Sequence, residues 1–255
     1  MSTISSNTLF HFTNLKNLIG ILENEFHPKY SIETYYEKDK ENYRVGIPMV
    51  CFCDIPLAQV EEHLRVYGQY GIGMTKKWAK KNRLNPVLYL ESHSMLLEQL
   101  HSVLLHNYND LKGLIGVGGQ QLGSFGQDRY SLLNIFMHTK PFDGYHERGG
   151  KKEHKKFYDE REWRYVPNID RLDGDELLLN DKKFGEENLR RKNDLLKDYK
   201  LSFEPDDIEY LIVSQESERL DLINSIKRIK SKYDDDKKLI LISKIISAEQ
   251  ILTDI

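Results

Sequence analysis

Long apolar runs are missing from this 255-residue chain. No stretch approaches the ~20 consecutive apolar residues that a membrane-spanning helix needs, so no membrane contact is expected. Cysteine is almost absent. Cys51 and Cys53 stand alone, which excludes a disulfide framework and fits a reducing compartment. Proline is scarce at 7, while 15 Tyr, 10 Phe and 39% hydrophobic residues supply a core; a disordered chain is excluded. An excess of positive charge is missing too. The 37 basic and 40 acidic residues leave a net charge of −3, whereas a general polyanion binder is basic overall. Any contact with nucleic acid must come from a local patch. The opening Met1-Ser2-Thr3-Ile4-Ser5-Ser6 has neither the basic flank nor the apolar run of a secretion signal, and a cytoplasmic location is expected.

What is present reads as alternating strands and helices. Residues 8–13 predict a strand, and Asn14 an N-cap for a helix over 15–23, where Leu15, Leu18, Ile19 and Leu22 keep helical spacing. Residues 27–33 read as extended, and 34–44 as an exposed polar loop. The proline-bounded apolar run 48–56 is the best strand signal of the first half. A helix follows over 57–67, with Leu57, Val60, Leu64 and Val66 as candidate core. Then come a strand at 71–74, a basic helix at 76–81, a strand at 86–90 and an amphipathic helix at 92–107. Six glycines fall within 113–126 but fit neither a P-loop nor a dinucleotide fingerprint, and read as a turn. The basic stretch 141–158 reads as a flexible loop before a strand at 162–166. The chain closes with a strand at 209–214, a helix at 216–230 and a strand at 238–243, with Asp234–Asp236 as a solvated turn. We expect one α+β domain over 1–255: a core at 1–167, a charged surface excursion at 168–202 and a strand–helix–strand unit at 203–255.

Several groups carry potential chemistry. Alternation puts His11 and Thr13 on one face of the first strand and Phe12 on the other. Cys51 and Cys53 pack as small hydrophobes unless a base activates them. A zinc site would need His63 and a further histidine, and no metal is expected. In extended chain, Glu160 and Glu162 share a face, and two such carboxylates need water or positive charge. That pair reads either as a salt-bridged strand edge or as the acids of a glycosidic-bond chemistry. Lys151, Lys152, Lys155 and Lys156 lie just before it with Tyr145, His146 and His154. They read as a solvated basic loop or as a contact for an anionic acceptor. Tyr67 and Tyr70 are aromatic faces suited to stacking on a cation or to ordinary packing.

The pattern His-x-Thr, Asn-Leu and Ile-Leu over residues 11–22 resembles the opening of ADP-ribosyltransferase-like proteins. The ordered set Leu9–Thr13, Pro48–Leu57, Tyr67–Gly73, Asn85–Tyr89 and Glu160–Pro167 resembles the AbiGi-type abortive-infection proteins of bacteria, over roughly residues 8–255. The resemblance implies an ADP-ribosyltransferase-like split mixed or antiparallel sheet with surrounding helices. It implies NAD as substrate, no metal, and a site in which His11 bonds a ribose hydroxyl, with Thr13 beside it. Cys51, Cys53, Tyr67 and Tyr70 would line the nicotinamide pocket, with the cysteines replacing the family's usual hydroxyl residues. Glu162 would be the essential acid, Glu160 would orient the acceptor, and the four lysines would hold it. Such an acid serves an oxocarbenium-like transition state by fixed negative charge. The implied role is anti-phage defence, by transfer of ADP-ribose to a protein or nucleic-acid target or by hydrolysis of NAD. The alternative is a non-catalytic antitoxin or regulatory component that binds a partner toxin or a phage-derived trigger.

Overall fold

The structure is a computed structural model that describes residues 6–35, 43–100, 102, 124–148, 151–167, 179–180 and 185–254. Its centre is set by one alternating pair. In strand β1 (Thr8–Thr13) both Leu9 and Phe10 are buried, because each face of the sheet meets a core. Leu9 joins Phe26, Phe52, Ile72, Met74 and Trp78 on one face, under the helices Leu15–Asn24 and Arg219–Ile229. Phe10 and Phe12 join Cys53, Val60, Leu64, Ile212 and Ile251 on the other, under the helices Glu61–Tyr67 and Ala248–Asp254.

The remaining strands are β2 (Lys29–Tyr35), β3 (Tyr43–Cys53), β4 (Tyr70–Thr75), β5 (Asn85–Pro86), β6 (Leu88–Leu90) and β7 (Thr139–Pro141). They continue as β8 (Gly144–Arg148), β9 (Lys151–Lys155), β10 (Glu162–Tyr165), β11 (Leu179–Asn180), β12 (Ile208–Val213) and β13 (Ile245–Ser247). The main sheet runs β13-β12-β4-β1-β3-β10-β5, with β2 and β11 also paired to β3. Every pairing in it is antiparallel except β12 with β13, so the sheet is mixed and the fold is α+β.

The long strand β3 shapes the site. Residues Tyr43–Met49 pair with β2, whereas Val50–Cys53 pair with β10. Its contact with β1 is confined to one register pair, Phe10 with Cys53. Beyond that pair the two strands part. The His11 imidazole enters the gap and its Nδ1 donates to the Cys51 carbonyl at 2.8 Å. A side chain thus supplies the hydrogen bond that the ladder does not.

Some sequence expectations need correction. Residues 238–243 are helix (Asp235–Ser243), and the final strand is Ile245–Ser247. Asp234 caps that helix by accepting from Lys237 N–H at 2.8 Å, and Asp235 and Asp236 fill its first turn, where carboxylates are favoured. A short apolar run cannot be assigned to strand or helix by period alone. The stretch 141–158 is no loop: β8 and β9 form an antiparallel hairpin in it. The strand at 86–90 is two short pieces, β5 and β6. Tyr35, placed in a loop by sequence, is fully buried in β2. Of the helix expected over 92–107, residues 95–100 and 102 are helical, and 101 and 103–107 lie outside the described residues. So do most of the glycine run (113–123) and residues 168–178 and 181–184 of the charged excursion.

Candidate functional site

Where β1 and β3 part, a cavity of about 640 Å³ opens between the sheet and the segment Phe157–Glu160. Its wall includes Phe10, His11, Phe12, Cys51, Phe52 and Cys53 from the two strands. Ser31, Glu33 and Arg44 come from β2 and β3, and His63 and Tyr67 from the helix after β3. Lys140, Phe157, Glu160 and Glu162 close it. The volume falls within the ~300–1,000 Å³ of small-molecule sites.

Glu160 and Glu162 do converge, but not along one strand. Glu160 ends a 3-10 turn, Arg161 takes a left-handed conformation (φ 45°), and Glu162 begins β10. What joins the two carboxylates is Lys140 on β7, whose Nζ lies 2.7 Å from Glu160 and 2.6 Å from Glu162. The other oxygen of Glu162 is held by Arg164 Nε at 2.5 Å. Arg164 is fully buried and also pairs with Glu33, while donating to the carbonyls of Met137 (2.9 Å) and Thr139 (3.1 Å). Lys155 meets Glu160 at 2.8 Å and lies over the Tyr67 ring, whose hydroxyl donates to Glu160. Three carboxylates, Glu33, Glu160 and Glu162, thus meet three cations, Lys140, Lys155 and Arg164.

Low dielectric makes such a cluster decisive for protonation. Burial pushes the Glu160 carboxyl up, but Lys140 and Lys155 outweigh it and bring it down to about 2. Burial also opposes ionisation of Glu162, yet Arg164 and Lys140 hold it well below the usual carboxylate range. Lys140 loses by burial and gains more from Glu162, Glu33 and Glu160, so it stays charged. Burial and then Glu160 push the Tyr67 hydroxyl up. Burial raises both thiols, helped at Cys51 by Glu162 and at Cys53 by Glu160. Both cysteines are therefore protonated hydrophobes on one face of β3, and not nucleophiles.

His11 and Glu162 reach this cavity from different directions. Phe10, Cys53 and Glu162 are in register across three strands and share a face, so His11 leaves the sheet on the other. Its ring sits against Phe26 and Phe52 and borders the cavity only through the gap between the strands. Burial lowers its pKa, Nδ1 is a donor, and Nε2 has no partner among the described residues. The cavity thus brings together His11, Cys51, Cys53, Tyr67, Glu160 and Glu162. Thr13 and Tyr70 are not among its lining: Thr13 accepts from Asn17 Nδ2 at 3.0 Å, and Tyr70 donates to Glu218 at 2.7 Å. Of the lysines, Lys155 is committed to Glu160, and Lys156 pairs with Asp159 at 3.3 Å. Lys151 and Lys152 lie on β9, with side chains outside the described ones. Among the described residues no group of three or more His, Cys, Asp or Glu is placed to hold a metal ion.

Lys140, Glu33 and Tyr89, which accepts from the Glu162 N–H at 2.8 Å, were not found by sequence reasoning. They lie far from the Glu-x-Glu pair in sequence, and no local spacing marks them. Arg164 was within reach, since alternation places it on the face of Glu162 two residues away.

The family model described as "Putative abortive phage resistance protein AbiGi, antitoxin" matches residues 24–214. The chain belongs to the AbiGi family. It is 33% identical over 269 residues to the "Abortive phage resistance protein AbiGi" of Lactococcus lactis subsp. cremoris, covering 90% of this chain and 99% of that protein. The AbiGi match spans β2 to β12, and with them β3, β7 and β10, which carry the charged cluster. No solved structure matches the chain. Among the described residues, no helix is long and apolar enough to cross a membrane.

Proposed function

We propose that this AbiGi-family chain acts in abortive phage resistance, and that the cavity at the β1–β3 gap is an NAD site of ADP-ribosyltransferase type. The observation that carries this reading is the meeting of an ionised, buried carboxylate pair with an aromatic-walled cavity of small-molecule size. Glu162 and Glu160 stay ionised at neutral pH, and a positive centre developing beside them would share their charge with Lys140, Lys155 and Arg164. Tyr67 and Phe157 bring rings to the cavity, each with one face already under an ammonium, Lys155 and Lys140, so a cationic nicotinamide would have to use an opposite face or displace a lysine. His11, neutral and donating through Nδ1, borders the cavity from the other face of the sheet. When bound, NAD supplies the glycosidic bond to be broken, and the protein holds the charge, the orientation and the dry surroundings. The acceptor is a protein or a nucleic acid. The β8–β9 hairpin, with Lys155 and Lys156, borders the side from which it would approach.

A second reading has its own observation. Each oxygen of Glu162 already accepts from a cation, Lys140 on one and Arg164 on the other, so the charge of the acid is balanced within the fold before any ligand arrives. A non-catalytic antitoxin-type component that binds a partner toxin needs no unbalanced acid, and the matching family description carries the word antitoxin.

One experiment separates them. Purified protein is incubated with labelled NAD, alone and with phage-infected lysate, while Glu162→Gln is tested for protection in cells. The enzymatic reading expects label transfer or NAD loss, both abolished with protection in Glu162→Gln. No turnover, together with full protection by the variant, overturns it and leaves the binding component.

A further inference from the structure

His63 is the one buried side chain among the described residues whose polar atoms have no hydrogen-bond partner: Nδ1 and Nε2 are both unpaired. The residue is 7% exposed and forms part of the cavity wall. It stands one helical turn before Tyr67, their ring centroids 5.7 Å apart, with Phe12 at 6.1 Å on another side. A buried polar group without a partner destabilises a fold, and native proteins keep few of them. A phenyl ring would fill the same place among Phe12, Leu64 and Tyr67 without that penalty. The fold therefore gains nothing from these nitrogens.

We propose that His63 is a ligand-contacting residue of the cavity, hydrogen-bonding an uncharged hydroxyl-bearing group of the bound molecule. This rests on the cavity being a ligand site, and within the NAD reading the group is a ribose hydroxyl. The class follows from the surroundings. Burial holds the imidazole neutral, so it offers one donor and one acceptor, and a hydroxyl satisfies either. The charges that act on it are of both signs, Glu160 and Glu62 against Lys155 and Lys140. Their effects on the site oppose one another, so the surroundings select for neither sign of charge. The nitrogens are sealed from solvent as the ring stands. Contact with a ligand therefore needs the ring to turn, and a half-turn about Cβ–Cγ exchanges each nitrogen with a ring carbon with no backbone movement.

The test uses the full chain as wild type, His63→Phe, His63→Gln and Glu162→Gln, with thermal melting, calorimetric titration with NAD and phage plating on expressing cells. We expect His63→Phe to melt at or above the wild-type temperature while NAD affinity falls about tenfold, the scale of one hydrogen bond. His63→Gln, which keeps a donor and an acceptor, recovers part of the affinity. A melting temperature lowered by several degrees in both His63 variants overturns the proposal, because the nitrogens then hold a structural partner such as ordered water. NAD affinity within twofold of wild type in His63→Phe overturns it as well. Should wild type bind no NAD, the NAD reading fails by itself, and plating decides for His63. Lost protection at unchanged melting supports a hydroxyl ligand other than NAD, and full protection ends the proposal.

Discussion

Arg164 carries a positive charge with no exposure to water, and its stability depends on four partners at once. Taking one member out of a buried ion cluster strands the others in low dielectric, which costs about 3–5 kcal/mol. Arg164→Met keeps the length and removes the charge, leaving Glu162 with Lys140 alone and Glu33 unpaired from the cluster. We expect urea unfolding to show a loss of that size, and the double change Arg164→Met with Glu33→Gln to recover part of it. Acid acts on the same cluster. Glu160 is brought down to about 2 when folded, against about 4.3 for an unfolded glutamate. A depressed folded pKa gives stability that is complete above the unfolded value and is lost as pH falls through the folded one. Urea midpoints are therefore expected to hold from neutral pH to about 5 and to fall steadily from about 4.3 toward 2. In Glu160→Gln the slope over that window should be shallower. An unchanged slope would mean that Glu160 is not held by its two lysines.

At the scale of elements, Gly68 links the helix Glu61–Tyr67 to β4 with φ at 125°, and a Cβ there would lie 2.2 Å from the Thr13 carbonyl oxygen. Backbone against backbone has no room to give, so Gly68→Ala combines left-handed strain of roughly 1–3 kcal/mol with a clash that must move the helix end. Tyr67 sits at that end, so the variant is also expected to loosen the Tyr67–Glu160 contact. Tyrosine fluorescence alongside a melt would register both. Gly68 belongs to Tyr67–Gly73, one of the stretches that carry the family resemblance, but its conformation was not legible, since any turn glycine looks alike in sequence. Elements with strong local signals were legible: Asn14 caps the helix Leu15–Asn24 by accepting from Asn17 N–H at 2.9 Å. The helix Lys76–Lys81 begins behind its own cap, Thr75, which accepts from Trp78 N–H at 3.1 Å. Elements defined by distant partners were not. The β8–β9 hairpin is polar and basic, with no apolar alternation to announce it. Likewise Glu160 was placed in a strand because extended chain is the simplest way to align two glutamates. Its true alignment comes from Lys140, some twenty residues earlier, and that contact exists only once β7 and β10 are in place.

Across the whole molecule, the far end of the chain supports the site. Strand β13 pairs in parallel with β12 and forms one edge of the main sheet, and the helix Ala248–Asp254 follows it directly. Ile245, Ala248 and Ile251 are each at most 4% exposed. Ala248 and Ile251 belong to the same core cluster as Phe10 and Phe12, which line the cavity. Sequence placed a strand and a helix at the start of this end but put the closing strand at 238–243, which is helix, and it did not show that the end lies under the cavity wall, because sequence gives no order of strands. Removal of residues 245–255 should therefore reach the site through the core. Losing a buried isoleucine costs about 2–5 kcal/mol, and two go at once here, against a total stability of only about 5–15 kcal/mol for a domain. The truncation also bares the edge of β12, an open ladder ready to pair with another chain. We expect the shortened protein to aggregate or to lose its cooperative melt. Ile251→Ala removes one of the two isoleucines and leaves the edge covered, so it should stay folded with a loss of about 2–5 kcal/mol. A truncated chain that melts cooperatively near the wild-type temperature would show that the cavity wall stands without this unit.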